Sequence, residues 1–396
     1  MRICYVCADP GVALSRNNGS ARHLRSVVRA LVDGGHEVEL LASRLENAEE
    51  LGVPVHPIPA PQMVPDLLYE AGDCSAPERT IARALRHILL NPAVERALEQ
   101  RLAVRRPDFV YERYSPFSAA GGWTCRRRRV PHILEVNAPL AWEGARHRGQ
   151  ALPEAAGMLE RAAFEATSRI IAVSDELREQ LVEGGVERSR IQVVPNGVEA
   201  EVFTPEGPVR RPCSDGSMVV GFAGSLKPWH GLEFLIDAFR DLSSDPRFHL
   251  LVVGDGPMAG PLEELGAELP GRVTLTGTVP LEDVPLYLRA MDVAVAPYPA
   301  LERFYFSPLK VLEYMACGCA VVASRIGQLK SLVRHGETGW LVPPGASSEI
   351  SVAIRRLAAD ANLRRALGTQ AAARVRDEHS WQRRIESITG TVAAAA

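Results

Sequence analysis

Short apolar stretches typical of β-strands alternate with amphipathic stretches typical of α-helices along the whole of this 396-residue chain. Met1–Cys7 is an apolar run, Arg22–Asp33 has apolar residues at helical spacing, and His36–Leu41 returns to strand character. Neighbouring parallel strands need a crossover connection, which is usually a helix. The alternation therefore predicts parallel βαβ units and an α/β fold.

The same pattern continues to the C-terminal region. Further helices are predicted over Met158–Phe164 and Leu232–Phe239. Further strands are predicted at Phe109–Tyr111, His132–Val136, Ile170–Val173, Val219–Phe222, Leu250–Val253, Val273–Thr276, Val293–Ala296 and Ala320–Ala323.

The chain is too long for one ordinary domain of about 100–150 residues. Thr204–Ser217 is rich in proline, glycine and charge, and it separates two βα series. We expect two Rossmann-like domains, 1–203 and 218–379, joined by a linker at 204–217 that serves as a hinge. A C-terminal helix at about 380–396 is expected to pack back on the first domain. Such sheets bind ligands at the carboxyl ends of their strands, so a shared ligand is expected in the cleft between the domains.

Composition excludes several classes of protein. Hydrophobic residues make up 46% and charged residues 23%, as in globular proteins, and the net charge of −3 gives no footprint for nucleic acid. No apolar stretch is long enough to span a membrane, and the N-terminus lacks the apolar region of a signal peptide. We expect a cytoplasmic protein with no nucleic-acid partner and at most peripheral membrane contact.

Lysine is scarce in this chain. Of 45 basic residues only Lys227, Lys310 and Lys330 are lysines, and the others are arginines. Where lysine persists in such a chain, a compact ammonium is needed rather than any positive charge. We therefore expect functional roles for Lys227 and Lys310, and we interpret Lys330 as a lysine that has been retained by chance. The seven cysteines form no paired zinc knuckles and are expected to be buried, reduced thiols.

A helix start with a cation in its first turn occurs in Phe306-Ser-Pro-Leu-Lys-Val-Leu-Glu-Tyr-Met-Ala-Cys-Gly318. Ser307 is the expected N-cap and Pro308 the first helical residue. The free N–H groups of such a turn attract anions. Lys310 is unfavourable for the helix dipole there, which indicates an anion of higher charge. A capped core helix with a surface ion pair between Lys310 and Glu313 is the alternative.

A glycine-rich loop follows the first strand of the second βα series. It reads Gly221-Phe-Ala-Gly-Ser-Leu-Lys-Pro-Trp-His-Gly231, and its glycines allow the backbone to approach a ligand closely. Lys227 and His230 place two potential cations on this loop. Two cation-bearing loops after strands of one domain can clamp a diphosphate from two sides.

These stretches resemble the nucleotide-binding domain of retaining glycosyltransferases of the GT-B fold, the glycogen-synthase-like family 4. That family shows Gly-Arg-Leu-x-x-x-Lys-Gly after the first strand, then a Glu, seven residues and a second Glu in a stretch ending Leu-Glu-Ala-Met-Ala-x-Gly. The resemblance covers nearly the whole chain. Four further stretches are similar in order and spacing, namely Val194–Glu199, Gly254–Pro257, Asp292–Pro297 and Gly336–Val342.

The chain departs from the family pattern at both motifs. The first acidic position falls on Tyr305, the family Arg on Ser225 and the family Lys on His230, with Lys227 inserted nearby. The resemblance implies that Glu313 binds the ribose hydroxyls, that N–H groups near Pro308–Lys310 hold the distal phosphate, and that both lysines neutralise the leaving diphosphate. The implied donor-binding residues are Asn18, Gly19, Ser225, His230, Tyr305, Phe306, Ser307, Pro308, Leu309 and Glu313.

The first half carries fewer signals. Asn18-Gly19-Ser20 corresponds to the glycine pair with which the family's first loop reaches the donor phosphate, and an ordinary turn is the alternative. Tyr111–Tyr114 and Leu134–Pro139 resemble stretches in the first domain of many relatives. The family's active-site His position falls on Asn137, which we group with Lys227 and Lys310 as catalytic because it can hydrogen-bond a sugar hydroxyl. A structural role at the strand end is the alternative.

An arginine run, Arg126–Arg129, is interpreted as a solvated face, with attraction to an acidic acceptor or an anionic membrane as the alternative. No Asp-x-Asp pair is present, and the cations named above make a Mg²⁺ ion unnecessary. We therefore expect no metal and no cofactor, with the nucleotide sugar as co-substrate.

We predict a retaining, metal-independent glycosyltransferase that transfers a hexose-type sugar from a nucleoside diphosphate sugar, with uracil as the expected base, to a hydroxyl of a small-molecule or glycan acceptor. The loops Pro61–Pro77 and Ala138–Leu152 are expected to select that acceptor; neither its identity nor an oligomeric state follows from the sequence. Two alternatives remain. One is a sugar-nucleotide-binding protein without transferase activity. The other is a dinucleotide-dependent oxidoreductase, for which the glycines of Gly254–Gly260 have the wrong spacing.

Overall fold

The computed structural model describes residues 1–15, 19–59, 76–147, 149–213 and 216–393. The chain divides into two compact units. The first comprises Met1–Pro195 with Arg384–Ala396, and the second comprises Asn196–Arg383. Each unit is built on one parallel sheet, as the alternation of strands and helices predicted.

The first unit has a seven-stranded parallel sheet in the order β3-β2-β1-β4-β5-β6-β7. Its strands are β1 Arg2–Cys7, β2 Glu37–Ala42, β3 Val55–Pro57, β4 Phe109–Arg113, β5 His132–Val136, β6 Arg169–Ala172 and β7 Ile191–Val193. Its helices are α1 Gly19–Asp33, α2 Ala76–Val104, α3 Ala120–Arg128, α4 Leu140–His147, α5 Pro153–Ala166 and α6 Asp175–Glu183.

The second unit has a six-stranded parallel sheet in the order β10-β9-β8-β11-β12-β13. Its strands are β8 Met218–Ala223, β9 Phe248–Val253, β10 Val273–Leu275, β11 Val293–Ala296, β12 Ala320–Ser324 and β13 Trp340–Val342. Its helices are α7 Leu232–Leu242, α8 Ala259–Glu268, α9 Val284–Leu288, α10 Leu309–Ala316, α11 Leu329–Leu332, α12 Ser347–Ala359 and α13 Ala361–Glu378. A last helix, α14 Trp381–Ala393, begins in the second unit and continues into the first.

Apolar residues on both faces of the second sheet explain its burial. Val219 and Val321 belong to one buried cluster, whereas Val220 and Val322 belong to another. Successive side chains of a strand point to opposite faces, so β8 and β12 each contribute to both clusters. Because both faces need helices to cover them, the near-continuous apolar strands favour a doubly wound sheet.

The position of the division differs from the expected boundary at residue 203. Val198 and Phe203 are buried in a core of the second unit, and the Val198 N–H donates to the His379 carbonyl at 3.0 Å. Thr204–Ser217 also belongs to this unit, where the Arg289 guanidinium donates to the carbonyls of Thr204 and Pro208. The expected linker at 204–217 thus lies within the second unit, and the chain passes between units at 195–196 and at 383–384.

The predicted strands are all present, with ends that match the prediction or differ from it by at most two residues. The helix expected from Arg22 begins three residues earlier, at Gly19. Three short strands, β3, β7 and β13, were not predicted, because three residues are too few to show a period. The expected loop Ala138–Leu152 contains helix α4, and residues 61–75 of the other expected acceptor loop lie outside the described residues.

Candidate active site

The order of strands places one crevice at the edge of the second sheet. The chain winds from β8 outward to β10, then returns to β11 on the other side of β8. Loops on either side of such a reversal diverge and leave a crevice at the carboxyl ends of the strands. The loop after β8 contains Gly224–Gly231, and the loop after β11 leads to α10. The two motifs singled out in the sequence therefore flank the same crevice.

Contacts between backbones build the floor of this crevice. Gly224 has a φ of +133° and Gly254 a φ of +134°. A Cβ atom on Gly254 would overlap the carbonyl oxygen of Gly224, so the two chains touch directly. The Leu226 N–H also donates to the Asp255 carbonyl at 2.9 Å. The glycines at 254 and 256, which the sequence offered only as part of the resemblance, pack the second loop against the first.

Lys310 joins the two motifs. Its Cε and Nζ atoms lie 3.2 Å from the position of a Cβ atom on Gly224, and its Nζ lies 4.1 Å from the ring centre of Phe222. The ammonium is shielded from solvent and has no hydrogen-bond partner among the described residues. Burial lowers the pKa of Lys310 to about 7, against a smaller opposing effect of Glu313. Such an ammonium is costly unless an anion completes its surroundings. The alternative of a surface ion pair is thus wrong.

His230 is not a cation in this structure. Its Nδ1 lies 2.6 Å from the Ser225 carbonyl oxygen, which can only accept, so Nδ1 carries the proton and Nε2 is left as an acceptor. Burial, followed by the charge of Lys310, lowers the pKa of His230 to about 3. The expectation of two cations on this loop is therefore wrong for His230 and leaves Lys227 as its cation.

Lys227, Ser225 and Trp229 form the outer part of the loop. Ser225 is exposed and Lys227 is half-buried. The Lys227 ammonium lies 5.9 Å from the ring of Trp229, whose side chain is 50% exposed. A half-exposed tryptophan beside a cation offers both a flat apolar face and a fluorescent reporter to a bound ligand. Lys330, in contrast, is an exposed residue of α11, as expected for a lysine without a role.

The start of α10 differs from the expected capping arrangement. Pro308 rather than Ser307 occupies the N-cap position, and the Ser307 hydroxyl instead accepts the backbone N–H of Asn196 at 3.2 Å. The Leu309 N–H donates to the Ser307 carbonyl, and the Val311 N–H donates to the Pro308 carbonyl, both at 3.0 Å. Within Pro308–Lys310, where N–H groups were expected to hold a phosphate, Pro308 has no N–H and that of Leu309 is engaged locally. More of the phosphate binding is therefore left to the Lys310 side chain.

An aromatic cluster begins beside Lys310, whose Nζ lies 5.7 Å from the ring centre of Tyr298. Tyr298 lies 4.9 Å from Phe304 and 5.8 Å from Phe306 between ring centres. Tyr305, which occupies the family's first acidic position, contacts Phe306 edge-on at 5.7 Å. Glu313 is buried one turn after Lys310. The crevice thus combines a buried ammonium, a buried carboxylate and an aromatic wall.

The first unit contains a buried polar cluster that the sequence patterns did not indicate. His23 of α1 lies 2.8 Å from Glu135 of β5, and the Arg113 guanidinium lies 3.9 Å from the same carboxylate. The Glu135 pKa is lowered because His23 and Arg113 outweigh the effect of burial. Charged residues within otherwise apolar strands were the available signal, since such residues are seldom buried without partners.

Asn137 follows β5, two residues beyond Glu135. Its amide nitrogen is buried and has no acceptor among the described residues, so it is available to a ligand oxygen. Gly19 is the first residue of α1, and no described atom lies within 4 Å of where its Cβ would be. Asn18 lies outside the described residues.

The arginine run is partly neutralised, since Arg127 contacts Glu95 and Glu99 at 2.8 and 2.7 Å and Arg128 also pairs with Glu99.

The cysteines that the structure describes are consistent with inert thiols. Five of them are buried, and Cys213 is partly exposed. Burial raises the pKa of Cys7 and of Cys319 to about 12, so both stay protonated near neutral pH.

Over the described ranges, no cluster of three or more His, Cys, Asp or Glu side chains could hold a metal ion. None of the described helices is both long and apolar enough to cross a membrane.

Comparison with known proteins identifies the chain. Residues 217–360 match the family Glycosyl transferases group 1, and residues 17–202 match Glycosyltransferase Family 4. The D-inositol 3-phosphate glycosyltransferase of Geodermatophilus obscurus is 32% identical over 310 residues, which cover 73% of this chain and 67% of that protein. The protein of the same name from Pseudarthrobacter chlorophenolicus is 28% identical over 383 residues, 93% of this chain and 88% of that protein.

Among solved structures, HepE of Anabaena in complex with UDP matches with a TM-score of 0.72 over 100% of both chains, at 20% identity. Two doubly wound sheets of this kind define the GT-B class of glycosyltransferases. The chain belongs to the group 1 glycosyltransferases, and the resemblance inferred from the sequence is confirmed.

Proposed function

We propose that this protein transfers a hexose-type sugar from a UDP-sugar to a hydroxyl acceptor, with retention at the anomeric carbon and without a metal ion. The observation that carries the proposal is the buried Lys310 ammonium, held against Gly224 at the carboxyl edge of the second sheet with no hydrogen-bond partner among the described residues. A departing diphosphate supplies the anion that this ammonium lacks.

The proposed chemistry follows from where charge develops. When the bond between the anomeric carbon and the diphosphate oxygen breaks, negative charge grows on the leaving group and positive charge on the sugar. Lys310, with Lys227 on the facing loop, stabilises the leaving group more strongly in the transition state than in the ground state. Asn137 is proposed to donate to a sugar hydroxyl. The acceptor hydroxyl attacks the face that the diphosphate leaves, which gives retention, and its proton passes to an oxygen of the departing diphosphate.

The choice of UDP and of a first acceptor is supported by the relatives. HepE of Anabaena was crystallised in complex with UDP and with UDP-glucose, and the two relatives described above are named for D-inositol 3-phosphate. We therefore propose UDP-glucose and D-inositol 3-phosphate as the first pair to assay. Release of UDP and formation of a glycosylated product support transferase activity.

The anomeric proton coupling of the product in its NMR spectrum reports retention directly. Unchanged turnover after treatment with EDTA supports the absence of a required metal, and recovery only with Mg²⁺ overturns it. Binding of UDP-sugars without transfer or hydrolysis, across a set of donors and acceptors, would favour the sugar-nucleotide-binding alternative. The basis for that alternative is that Tyr305 stands where the family has an acidic residue and Ser225 where it has an Arg.

Glu313→Ala is expected to weaken binding of UDP by about tenfold, because each hydrogen bond to a charged group contributes about 1.5–3 kcal/mol. Glu313→Gln should recover part of the affinity, since an amide oxygen still accepts a hydrogen bond. Calorimetry with UDP and with inorganic diphosphate separates two explanations. Loss for UDP alone identifies ribose contacts, whereas equal losses for both ligands assign Glu313 to Lys310 and contradict the proposed ribose contact.

Gly19→Val is expected to lower turnover by about tenfold or more, with UDP affinity within about twofold of the wild type. No described atom crowds this position, so the added side chain should leave the fold intact and obstruct only the donor. Gly390→Val is the matched control, because Gly390 is also a helical glycine with no described atom within 4 Å. Wild-type turnover in Gly19→Val would show that the first loop does not approach the donor.

A further inference from the structure

A second cavity lies in the first unit, away from the carboxyl ends of its strands. It opens at the amino ends of β5 and β6 and has a volume of about 400 Å³. Apolar residues that include Pro131, Ile133 and Ala166 line it, and Thr391 of α14 completes it. Sites for small molecules span about 300–1,000 Å³, with apolar walls and a few polar groups. The cavity has the size of such a site.

Of the residues that the structure describes, basic ones line the cavity and acidic ones do not. Arg126, Arg129 and Arg169 line it, and none of the described lining residues is acidic. The guanidinium groups of Arg126 and Arg129 have no ion-pair or hydrogen-bond partner in the described part of the chain. Their neighbours differ in this respect, because Arg127 and Arg128 are paired with carboxylates. Two unpaired guanidinium groups therefore face one concave, partly apolar surface.

The side chains of Arg126 and Arg129 are not needed to satisfy the free carbonyl groups of the helix ends around the cavity. Arginine near a helix C-terminus often serves the free carbonyl groups there. Here the Cys125 carbonyl accepts the Val130 N–H at 2.9 Å, and the Arg129 carbonyl accepts the Arg106 guanidinium at 2.6 Å. At the end of α5, Arg190 donates to the carbonyls of Phe164 and Thr167. Other donors already serve these carbonyls, so Arg126 and Arg129 remain available.

The backbone places Arg129 at the cavity rim. Its φ of 53° is in the left-handed region, which few residues other than glycine adopt. The Arg129 N–H donates to the Arg126 carbonyl, and Arg106 holds the Arg129 carbonyl from the other side. A left-handed residue is a common way for a helix to end, and here it fixes the position of Arg129 beside the cavity.

We propose that this cavity binds a phosphorylated small molecule of the size of a hexose phosphate or a nucleoside monophosphate. Guanidinium groups match the geometry of phosphate oxygens and bind them with paired hydrogen bonds. The phosphate would contact Arg126 and Arg129, and the organic part would lie over Pro131, Ile133 and Ala166. Thr391 places the ligand against α14, so binding would also reduce hydrogen exchange in that helix. The site is independent of the proposed donor site.

The test uses the full chain with glucose 6-phosphate, AMP and inorganic phosphate as probes, measured by calorimetry. Arg126→Ala/Arg129→Ala should weaken binding of the organic phosphates by about tenfold or more, because the variant loses the hydrogen bonds between the two guanidinium groups and the charged phosphate. Arg127→Ala/Arg128→Ala removes the same charge from the same helix and should change affinity by less than about twofold, since those arginines are engaged by carboxylates. Circular dichroism spectra and urea-unfolding midpoints equal to those of the wild type show that both double variants are folded.

Lys310→Met separates this site from the proposed donor site. Binding of the probes to Lys310→Met with wild-type affinity, together with loss in Arg126→Ala/Arg129→Ala, supports the second site. The proposal is overturned if none of the three probes binds, if both double variants bind alike, or if Lys310→Met alone abolishes binding. Because calorimetry measures binding and not turnover, this experiment tests the second site independently of the proposed transferase activity.

Discussion

Lys310→Met is expected to lower turnover by about a hundredfold or more and yet to make the protein more stable. The loss follows from removal of the charge proposed to stabilise the leaving diphosphate, and single donors to a developing anion are worth about 10²–10³ in rate. The gain follows from burial, because the ammonium is shielded from solvent without a hydrogen-bond partner among the described residues. Methionine has a similar length and fills the same apolar space without a charge.

The sign and pH range of the stability change follow from the two pKa values. The pKa of Lys310 is about 7 in the folded protein and near 10.5 when the chain is unfolded. Below pH 7 both states are protonated, and the cost of the buried charge is fully present. Between the two values the unfolded state binds more protons, so wild-type stability rises with pH. A difference of one unit in pKa corresponds to about 1.4 kcal/mol, so we expect Lys310→Met to add at most about 5 kcal/mol to the free energy of unfolding below pH 7.

Urea unfolding from pH 6 to pH 10 measures this effect, with the wild type gaining on the variant as pH rises. Lys330→Met is the matched control, because Lys330 is exposed and should change neither turnover nor stability by more than about 0.5 kcal/mol. UDP affinity provides a second reading. It should fall above pH 7 in the wild type, since a neutral Lys310 must take up a proton to bind the anion. A Lys310→Met variant that is active, or less stable at pH 6, would contradict the role assigned to this residue.

Gly254→Ala should destabilise the floor of the crevice by about 2–4 kcal/mol and remove most activity. Its Cβ would overlap the Gly224 carbonyl oxygen, and its φ of +134° is one that alanine adopts only under strain. Because the obstacle is backbone, it cannot move aside as a flexible side chain would. The shift of Gly224 would displace Lys310, which lies against it. Unfolding and turnover should therefore both change.

Gly260→Ala is the control for this substitution. Gly260 lies near the start of α8, and no described atom is within 4 Å of its Cβ position. Alanine is a better helix former than glycine, so a gain of about 0.5–1 kcal/mol is expected with unchanged turnover. Equal stability of Gly254→Ala and the wild type would mean that the two loops separate without cost, and the backbone contact between them would then lose its structural role.

Much of the architecture follows from the sequence, because strand and helix periods are local properties. The predicted apolar runs all became strands of parallel sheets, and the run at Val293–Ala296 has the predicted bounds. The family resemblance was also present in short stretches such as Phe306–Gly318. Short strands such as Trp340–Val342 were not visible, since their identity depends on a neighbour with which to pair.

The chemical state of the site depended on tertiary contacts. Lysine scarcity in the sequence directed attention to Lys310, but only the approach of Gly224 and the Phe222 ring shows that its ammonium is buried. His230 looked like a cation in the sequence, but burial and the nearby charge of Lys310 lower its pKa to about 3, and the 2.6 Å hydrogen bond to the Ser225 carbonyl determines only which ring nitrogen carries the proton.

Ser307 looked like a helix cap, but its hydroxyl accepts an N–H from Asn196, which is 111 residues away along the chain. Periodicity reports which residues are apolar, and spacing reports which motifs are present. Protonation and hydrogen bonding are set by the residues that the fold brings together, so the tertiary structure decided them.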